Sequence, residues 1–370
     1  MSILSRVLLY LFFQILIFNY MALNSNVMAH STYFWRVLTA FLLMTIGLIY
    51  GVNISRNIFF LLCSFMLSMV ISGFGNPMVL NFLFLIVFCI FSKNIKINYV
   101  IECALISLLV AVAVVFISLI LNIFDSGVDL SGDRERLMFG FKNANIFPTL
   151  YFTFILIFIL HHGRLFSLLS FFVFSLGVYI YIKSDTRALI FGIFSLFFLR
   201  LIFISTNKSL IKIIIFSLIV SPVILVWSSK FIFINYDWID ILLSNRPKIW
   251  SEYISSLPLY SYMWGGVAPE ENITIDNSFL LIQSIVGVPV LIFLILKFYK
   301  FLCECLDRGF HTIMVVMLSF WIYCYFESNL IRPEIIFSLV FFRLLFNEDF
   351  GKKKIIKLGR SPNKSRGGML

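Results

Sequence analysis

Apolar runs of roughly 15–23 residues recur along the whole of this 370-residue chain, separated by polar connections. Wound as a helix, a run of that length crosses the hydrocarbon core of a bilayer, which is roughly 30 Å thick. Hydrophobic residues make up 61% of the sequence and charged residues only 13%, and this balance excludes a soluble globular domain. The sequence therefore predicts an all-α, polytopic integral membrane protein.

Twelve of these runs are predicted to be transmembrane helices, and together they form one membrane domain over residues 1–350. Two outer connections are long, at residues 122–145 and 229–277, and long loops in compact proteins usually carry function or are disordered. Residues 351–370 form a basic tail, which we expect to be disordered beside the cytoplasmic lipid surface. The predicted helices are 7–23, 37–52, 57–72, 78–92, 99–121, 146–161, 165–183, 188–204, 211–228, 278–299, 311–326 and 335–347.

The charge distribution predicts an orientation in the membrane. With the N-terminus inside, the cytoplasmic segments hold 19 of the 29 basic residues and five of the 18 acidic ones. The outer segments hold the remaining 10 basic and 13 acidic residues. This asymmetry follows the positive-inside rule, so both termini are predicted to be cytoplasmic. It also accounts for the net charge of +11 through contact with membrane lipid, and no nucleic-acid partner is expected.

Motifs for nucleotides and metals do not occur in the sequence, which has no P-loop, no GxGxxG and no HExxH. Cys303 and Cys305 lie outside the apolar cores of the predicted helices, but they lack the spacing or the histidine partners of a metal site. No cofactor and no metal is therefore expected.

Arginines lie near three predicted helix starts on the outer side. Arg136 precedes Asn145, a candidate N-cap, and Arg187 follows two further candidate caps, Ser184 and Asp185. Asp276 and Asn277 open the apolar run at 278–299 in the same way. Free N–H groups, the helix dipole and guanidinium groups together favour an anion at such places. Ordinary helix capping explains each start by itself, and for Asp276 this alternative stays open.

The second long loop is rich in aromatic residues and carries Arg246 and Trp250. Its stretch 248–257 has helical spacing and is predicted to lie along the membrane surface. The aromatic residues have two interpretations: the belt that Trp and Tyr form at membrane interfaces, or a face on which sugars stack. A lipid-linked sugar would satisfy both.

Short motifs, in order along the chain, resemble those of the O-antigen polymerase and ligase superfamily. The resemblance covers roughly residues 120–290, with a weaker match from Glu327 to Glu334. The motifs are Arg136-x-x-x-Gly140-x-x-Asn143-x-Asn145, Ser184-Asp-Thr-Arg-Ala188, Asn245-Arg246-x-x-x-Trp250 followed by Gly265-Gly266, and Asp276-Asn277-x-x-Leu280.

Ligases of this superfamily carry His before the Asn that opens the helix after the long loop, whereas this chain has Asp276 there. The resemblance is therefore to the polymerases of the Wzy type. It implies a glycosyltransferase that joins undecaprenyl-pyrophosphate-linked oligosaccharide repeat units into surface polysaccharide, either the O-antigen of lipopolysaccharide or capsule. The implied place is the outer face of the bacterial cytoplasmic (inner) membrane, with the lipid-linked glycan and a chain-length regulator protein as partners.

The resemblance also implies roles for individual residues. Arg187 and Arg246 would neutralise the departing pyrophosphate, and Asp276 would be the general base, with Glu252 and Glu327 as alternatives. Three other interpretations stay open: a ligase, a lipid-linked oligosaccharide flippase or other transporter, and a non-catalytic scaffold. A transporter predicts two similar halves or charges within the spans, and the two long loops show no six-span offset. The implied substrate-binding residues are Arg136, Asn143, Asn145, Trp250 and Asn277.

Overall fold

A computed structural model of the chain is all-α, with 79% of the described residues in helices, as the apolar runs predict. The basic tail at 351–370 and parts of both long loops lie outside the described residues. The structure describes residues 3–25, 32–52, 54–72, 77–123, 127–129, 135–163, 165, 167–205, 207–236, 238–239, 243, 245–267 and 275–347.

Within these ranges the elements follow one another in the order expected from the apolar runs. The first helices are α1 (Ile3–Asn24), α2 (Thr32–Tyr50), α3 (Arg56–Ser72), α4 (Pro77–Phe91) and α5 (Ile97–Ile120). A hairpin of β1 (Val128–Asp129) and β2 (Arg136–Leu137) precedes α6 (Ile146–His162), α7 (Leu168–Ser184), α8 (Arg187–Ser205) and α9 (Lys208–Trp227). The rest are α10 (Ser229–Asn235), α11 (Arg246–Ser256), α12 (Leu259–Trp264), α13 (Ser278–Val286), α14 (Val288–Asp307), α15 (His311–Tyr323) and α16 (Ile336–Leu345).

Length and apolar composition give this protein its membrane character. In the described part, four helices are long and apolar enough to cross a membrane: Arg6–Asn24, Ile97–Ile120, Arg187–Ile204 and Lys208–Trp227. Seven more apolar helices are shorter, with 10–17 residues. The outer face of α8 presents Phe191, Phe194 and Phe198, each at least 50% exposed. A row of exposed aromatic rings on an apolar helix is suited to lipid and costly in water.

The predicted helix at 278–299 is wrong, because the chain breaks at Gly287 into α13 and α14. Gly287 has a left-handed φ of +87°, and a Cβ there would lie 2.4 Å from the carbonyl oxygen of Met263 in α12. Gly265 is constrained from the other side, since its Cβ would lie 2.3 Å from the carbonyl oxygen of Ile285. Backbone meets backbone at this crossing, and only glycine leaves room for it.

Helix α15 lies at the centre of the bundle and packs against α6, α8, α9 and α14. Loops that the charge pattern places on one side of the membrane contact one another. At one end, Lys142 N–H donates to the Asn24 carbonyl at 2.7 Å, and the Arg136 side chain reaches the turn between α7 and α8. We call this end the loop end, because both long connections contribute to it.

The opposite end is held by a buried arginine in α16. Arg343 is 3% exposed and donates to the backbone carbonyls of Ser92, Lys93 and Ile95 at 3.1, 2.7 and 3.1 Å. These carbonyls lie just after α4, where a helix leaves its last C=O groups without partners. Arg343 therefore ties the end of α4 to α16, and it has a structural role at this end of the bundle.

Candidate functional site

Arg136 connects the first long loop to the turn between α7 and α8. Its Nε donates to the Ser184 carbonyl at 3.0 Å, and its Nη2 donates to Asn145 Oδ1. The Thr186 hydroxyl donates to the same amide oxygen at 3.1 Å. Strand β2 holds Arg136 in place by pairing it with Asp129 in β1. The two loops that sequence motifs singled out therefore meet at the Asn145 side chain.

This network changes the predicted roles of the cap residues. Asn145 stands at the N-cap of α6 but makes no side-chain cap bond, because its amide is engaged by Arg136 and Thr186. Ser184 and Asp185 end α7: the Ser184 hydroxyl donates to the Ile180 carbonyl, and Asp185 takes the left-handed conformation at the C-cap. The predicted capping of α8 by Ser184 is therefore not found.

Two further candidate residues, Arg187 and Asn143, lie in the same region. Arg187 is the first residue of α8 and is half-buried, one position after Thr186. Asn143 is exposed, and its side-chain oxygen accepts from the Asn145 N–H at 2.8 Å. Both stay candidates for contact with a substrate.

Helix α11 places Arg246 at the loop end. The helix begins at Arg246, with Pro247 in the first turn, where its missing N–H leaves no bond unmade. Trp250 and Tyr253 then pack on one face of α11 into a small core with Val226 of α9 and Leu280 of α13. This packing fixes the direction of the helix and, with it, the position of the Arg246 side chain.

Trp250 does not offer a stacking face for a sugar. Its side chain is 1% exposed and belongs to the core beneath α11. The aromatic density of the loop is thus explained partly by packing, as an amphipathic helix requires. Exposed aromatic residues of the same region include Trp238, Tyr260 and Trp264, at 66%, 52% and 48%.

At the start of α13, Asn277 caps the helix and Asp276 faces Arg246. The Asn277 side-chain oxygen accepts from the N–H groups of Phe279 and Leu280 at 2.9 and 3.0 Å, and its amide donates to the Tyr325 carbonyl at 3.1 Å. Asn277 is therefore the cap of α13, and it is fully buried. Capping by Asp276 is not found, and its carboxylate lies 3.6 Å from Arg246 Nη2 instead.

The loop between α15 and α16, residues 324–335, is pinned to the start of α13. The Ser278 hydroxyl donates to the Glu327 carbonyl at 2.7 Å and accepts from the Leu330 N–H at 3.1 Å. Arg246 Nη2 donates to the Phe326 carbonyl at 3.1 Å. Three hydrogen bonds from two separate chain segments thus fix the backbone of this loop.

Glu327 is the buried carboxyl of the site, with 8% of the residue exposed. Burial and, after it, the charge of Asp276 raise its pKa to about 8, against the charges of Arg246, Arg332 and Arg136, which act to lower it. Burial also raises the pKa of Asp276, against the charges of Arg246 and Arg332. Two carboxyls and three guanidinium groups therefore form one electrostatic cluster, in which Glu327 is protonated at neutral pH.

The cluster contains three residues that the sequence motifs do not single out as central: Glu327, Asn329 and Arg332. From the sequence, Glu327 is only an alternative base, Arg332 is one of several arginines on the outer side, and Asn329 has no predicted role. Their signal in the sequence is a run of polar residues, Glu327-Ser-Asn-Leu-Ile-Arg332, between two apolar helices. A short connection does not need two charges and an amide, so the composition itself points to a function.

The chemistry of the cluster suits an anion and a proton transfer. Guanidinium groups bind phosphate oxygens through paired N–H donors, and a carboxyl with a pKa near neutrality exchanges protons readily. Within the described residues, no group of three or more His, Cys, Asp or Glu side chains is arranged to hold a metal ion.

Comparison of the chain with family models, curated proteins and solved structures finds no match.

Proposed function

We propose that this protein polymerises undecaprenyl-pyrophosphate-linked repeat units into surface polysaccharide at the outer face of the bacterial cytoplasmic membrane. The observation that carries the proposal is the gathering of Arg136, Arg246 and Arg332 around two carboxyls at one end of an apolar helical bundle. A charged cluster in this place suits a substrate whose reacting group is charged and whose carrier is a lipid.

The arginines neutralise the negative charge of the leaving group. When the bond between the donor sugar and pyrophosphate breaks, negative charge develops on the diphosphate. Arg246 is already fixed by Asp276 and the Phe326 carbonyl, so little reorganisation is needed when that charge forms. Arg136 is held equally firmly by Ser184 and Asn145. Arg187, at the start of α8, joins this set through its place beside Thr186.

Asp276 stands where ligases carry a histidine, and the two side chains differ in charge. A carboxylate there forms an ion pair with Arg246, whereas a histidine would give that arginine no permanent counter-charge. This supports polymerase over ligase. A flippase or other transporter is less supported, because the charges of the cluster lie in loops and at helix starts, and a transport path needs them within the spans.

The proposal includes twelve spans with both termini in the cytoplasm, so that the loop end faces outward. We expect reporter fusions at Pro258 and after Gly351 to give opposite readouts, with Pro258 outside and Gly351 inside. Alkaline phosphatase and green fluorescent protein fusions at the two positions measure this. Equal readouts at both positions would exclude the proposed topology.

The function is tested by deleting the gene in the source strain and following surface polysaccharide on gels. Loss of polymerisation leaves single repeat units attached and removes the ladder of longer chains, and restoring the gene restores the ladder. A ligase would instead leave complete polymer on the lipid carrier with none attached. A flippase would leave single units on the carrier at the cytoplasmic face, and either result would overturn the proposal.

A further inference from the structure

The 324–335 loop holds three buried side-chain atoms that have no hydrogen-bond partner in the part of the chain that the structure describes. They are Glu327 Oε1, Asn329 Nδ2 and Arg332 Nε. Glu327 and Asn329 are 8% and 3% exposed, so neither group is solvated from outside. Buried polar groups in native proteins nearly always have partners, and those that lack one are often completed by a ligand.

These atoms are held in place by a firm backbone. Besides the bonds to Ser278, the Asn329 carbonyl accepts from the Ser338 hydroxyl at 2.6 Å. The Arg332 N–H donates to the Asn329 carbonyl at 3.3 Å, and the Ile335 N–H donates to the Arg332 carbonyl at 3.1 Å. The unsatisfied side chains are therefore part of a rigid loop, and one acceptor and two donors are available for a ligand.

Other charged groups reach the same loop from every side. Arg246 comes from α11, Asp276 from the segment before α13, and Arg136 from the hairpin, and all three act on Glu327. From α1, Tyr20 lies within electrostatic range of Glu327, Arg332 and Glu334. Tyr323, whose hydroxyl bonds Thr149 at 2.8 Å, approaches Glu327 from α15.

A set of one acceptor and two donors is what a sugar needs, since each sugar hydroxyl both donates and accepts. We propose that the 324–335 loop is the acceptor-sugar subsite, in which Glu327 removes the proton from the attacking hydroxyl while Asn329 and Arg332 hold the same sugar. This inference rests on the proposed function and assigns its acceptor side.

The step balances as follows. The acceptor hydroxyl oxygen forms a bond to the anomeric carbon of the donor glycan, and the bond from that carbon to the pyrophosphate oxygen breaks. The electron pair of the broken bond leaves with undecaprenyl pyrophosphate. The hydroxyl proton passes to the carboxylate of Glu327, which later releases it to water. No other reactant is required.

Asp276 fits this role less well than Glu327. Its side chain is 41% exposed and lies 3.6 Å from Arg246, so its charge is already engaged. Asp276 is a positioning residue in this arrangement, because it holds Arg246 beside the leaving group. The other alternative base, Glu252, is exposed on α11 and is not among the charges that act on Glu327.

The first test asks whether Glu327 is a protonated carboxyl in apolar surroundings. Purified full-length protein in nanodiscs is treated with dicyclohexylcarbodiimide, which modifies such carboxyls selectively, and the modified residues are mapped by mass spectrometry. We expect labelling of Glu327 at pH 7 that falls as the pH rises through about 8. Labelling that leaves Glu327 unmodified at pH 7 would overturn the assignment.

The second test measures chain extension in membranes of the source strain that carry their own lipid-linked repeat units. The wild-type rate should rise with pH up to about 8, because the carboxylate is the active form. Glu327→Gln should lower the rate at least about 100-fold at every pH, and Glu327→Asp should keep a pH-dependent remainder. The matched control is Glu304→Gln, near the C-terminal end of α14 and not among the charges that act on Glu327, and it should match the wild type.

The outcomes separate the two proposals. Normal extension by Glu327→Gln would overturn the acceptor role and leave the polymerase intact. A wild-type protein that extends no chains would overturn the polymerase and, with it, the acceptor subsite. Asn329→Ala gives a further check, since loss of a sugar contact raises the KM for repeat units, whereas a purely structural role would lower protein levels without that change.

Discussion

Replacing Arg246 by alanine should abolish chain extension while the protein still inserts at near-normal levels. The substitution removes the guanidinium that contacts Asp276 at 3.6 Å and the Phe326 carbonyl at 3.1 Å. Loss of one preorganised group that stabilises developing charge typically lowers a rate about 10²–10³-fold. The measurement is the ladder of surface polysaccharide on a gel, together with membrane levels of the tagged protein.

Lysine at the same position should restore only part of the activity. An ammonium group is a point charge, and it does not reproduce the planar fork that reaches both partners. Lys248→Ala is the matched control, because Lys248 is exposed on the same helix and lies over the Phe233 ring at 5.8 Å. Equal losses in the Arg246 and Lys248 variants would indicate a general effect of charge on α11 and would contradict the specific role.

The removal of Arg246 also has an electrostatic signature. Its charge lowers the pKa of both Glu327 and Asp276, so its loss should raise both pKa values. The residual activity of Arg246→Lys should therefore keep the wild-type pH profile, whereas any residual activity of Arg246→Ala should require a higher pH. A structural defect alone would lower the rate without moving the profile.

Much of the fold could be predicted from the sequence, because burial in apolar surroundings leaves an apolar run few alternatives to a helix. The predicted helices at 146–161 and 188–204 differ from Ile146–His162 and Arg187–Ser205 by at most one residue at each end. The break at Gly287 could not be predicted, because its cause is the Met263 backbone, which lies far along the chain. Contacts between distant segments leave no local pattern.

Only part of the candidate site could be predicted from the sequence, because contacts between distant segments leave no local pattern. The motifs identified Arg136, Arg246 and Asp276, and the structure brings their charges together around Glu327. Asp276 and Asn277 were equivalent as caps in the sequence, and only the packing decides that Asn277 takes this task. The environment of Glu327 could not be predicted, because its neighbours, such as the Ser278 hydroxyl on its backbone carbonyl, come from other parts of the chain.

The stability of the protein should fall as pH rises, and Glu327→Gln should remove most of that fall. Glu327 has an ordinary pKa of 4.5 in an unfolded chain and a pKa of about 8 in the fold, so the folded state binds its proton more tightly. Below about pH 4.5 Glu327 is protonated in both states, so it does not make the free energy of unfolding depend on pH. Between about pH 4.5 and 8 the unfolded chain loses this proton before the folded protein does, and the free energy of unfolding falls by on the order of 4 kcal/mol.

Glutamine is neutral at every pH and close in shape, so the Glu327→Gln protein should match the wild type near pH 5 and exceed its stability at pH 8. Thermal unfolding in detergent, followed with a thiol-reactive dye, measures this through buried cysteines such as Cys89 and Cys324. A smaller pH dependence of stability should persist in the Glu327→Gln variant, since the pKa of Asp276 is raised as well.

Asp276→Asn should reduce the loss of stability at high pH. The substitution removes a charge that raises the pKa of Glu327, so the folded-state pKa of Glu327 should move closer to its unfolded value. Identical stability–pH curves for wild type and Glu327→Gln would mean that Glu327 is ionised in the fold. If the Glu327→Gln protein is inactive and also more stable than the wild type at pH 8, the wild-type carboxyl lowers stability in return for activity.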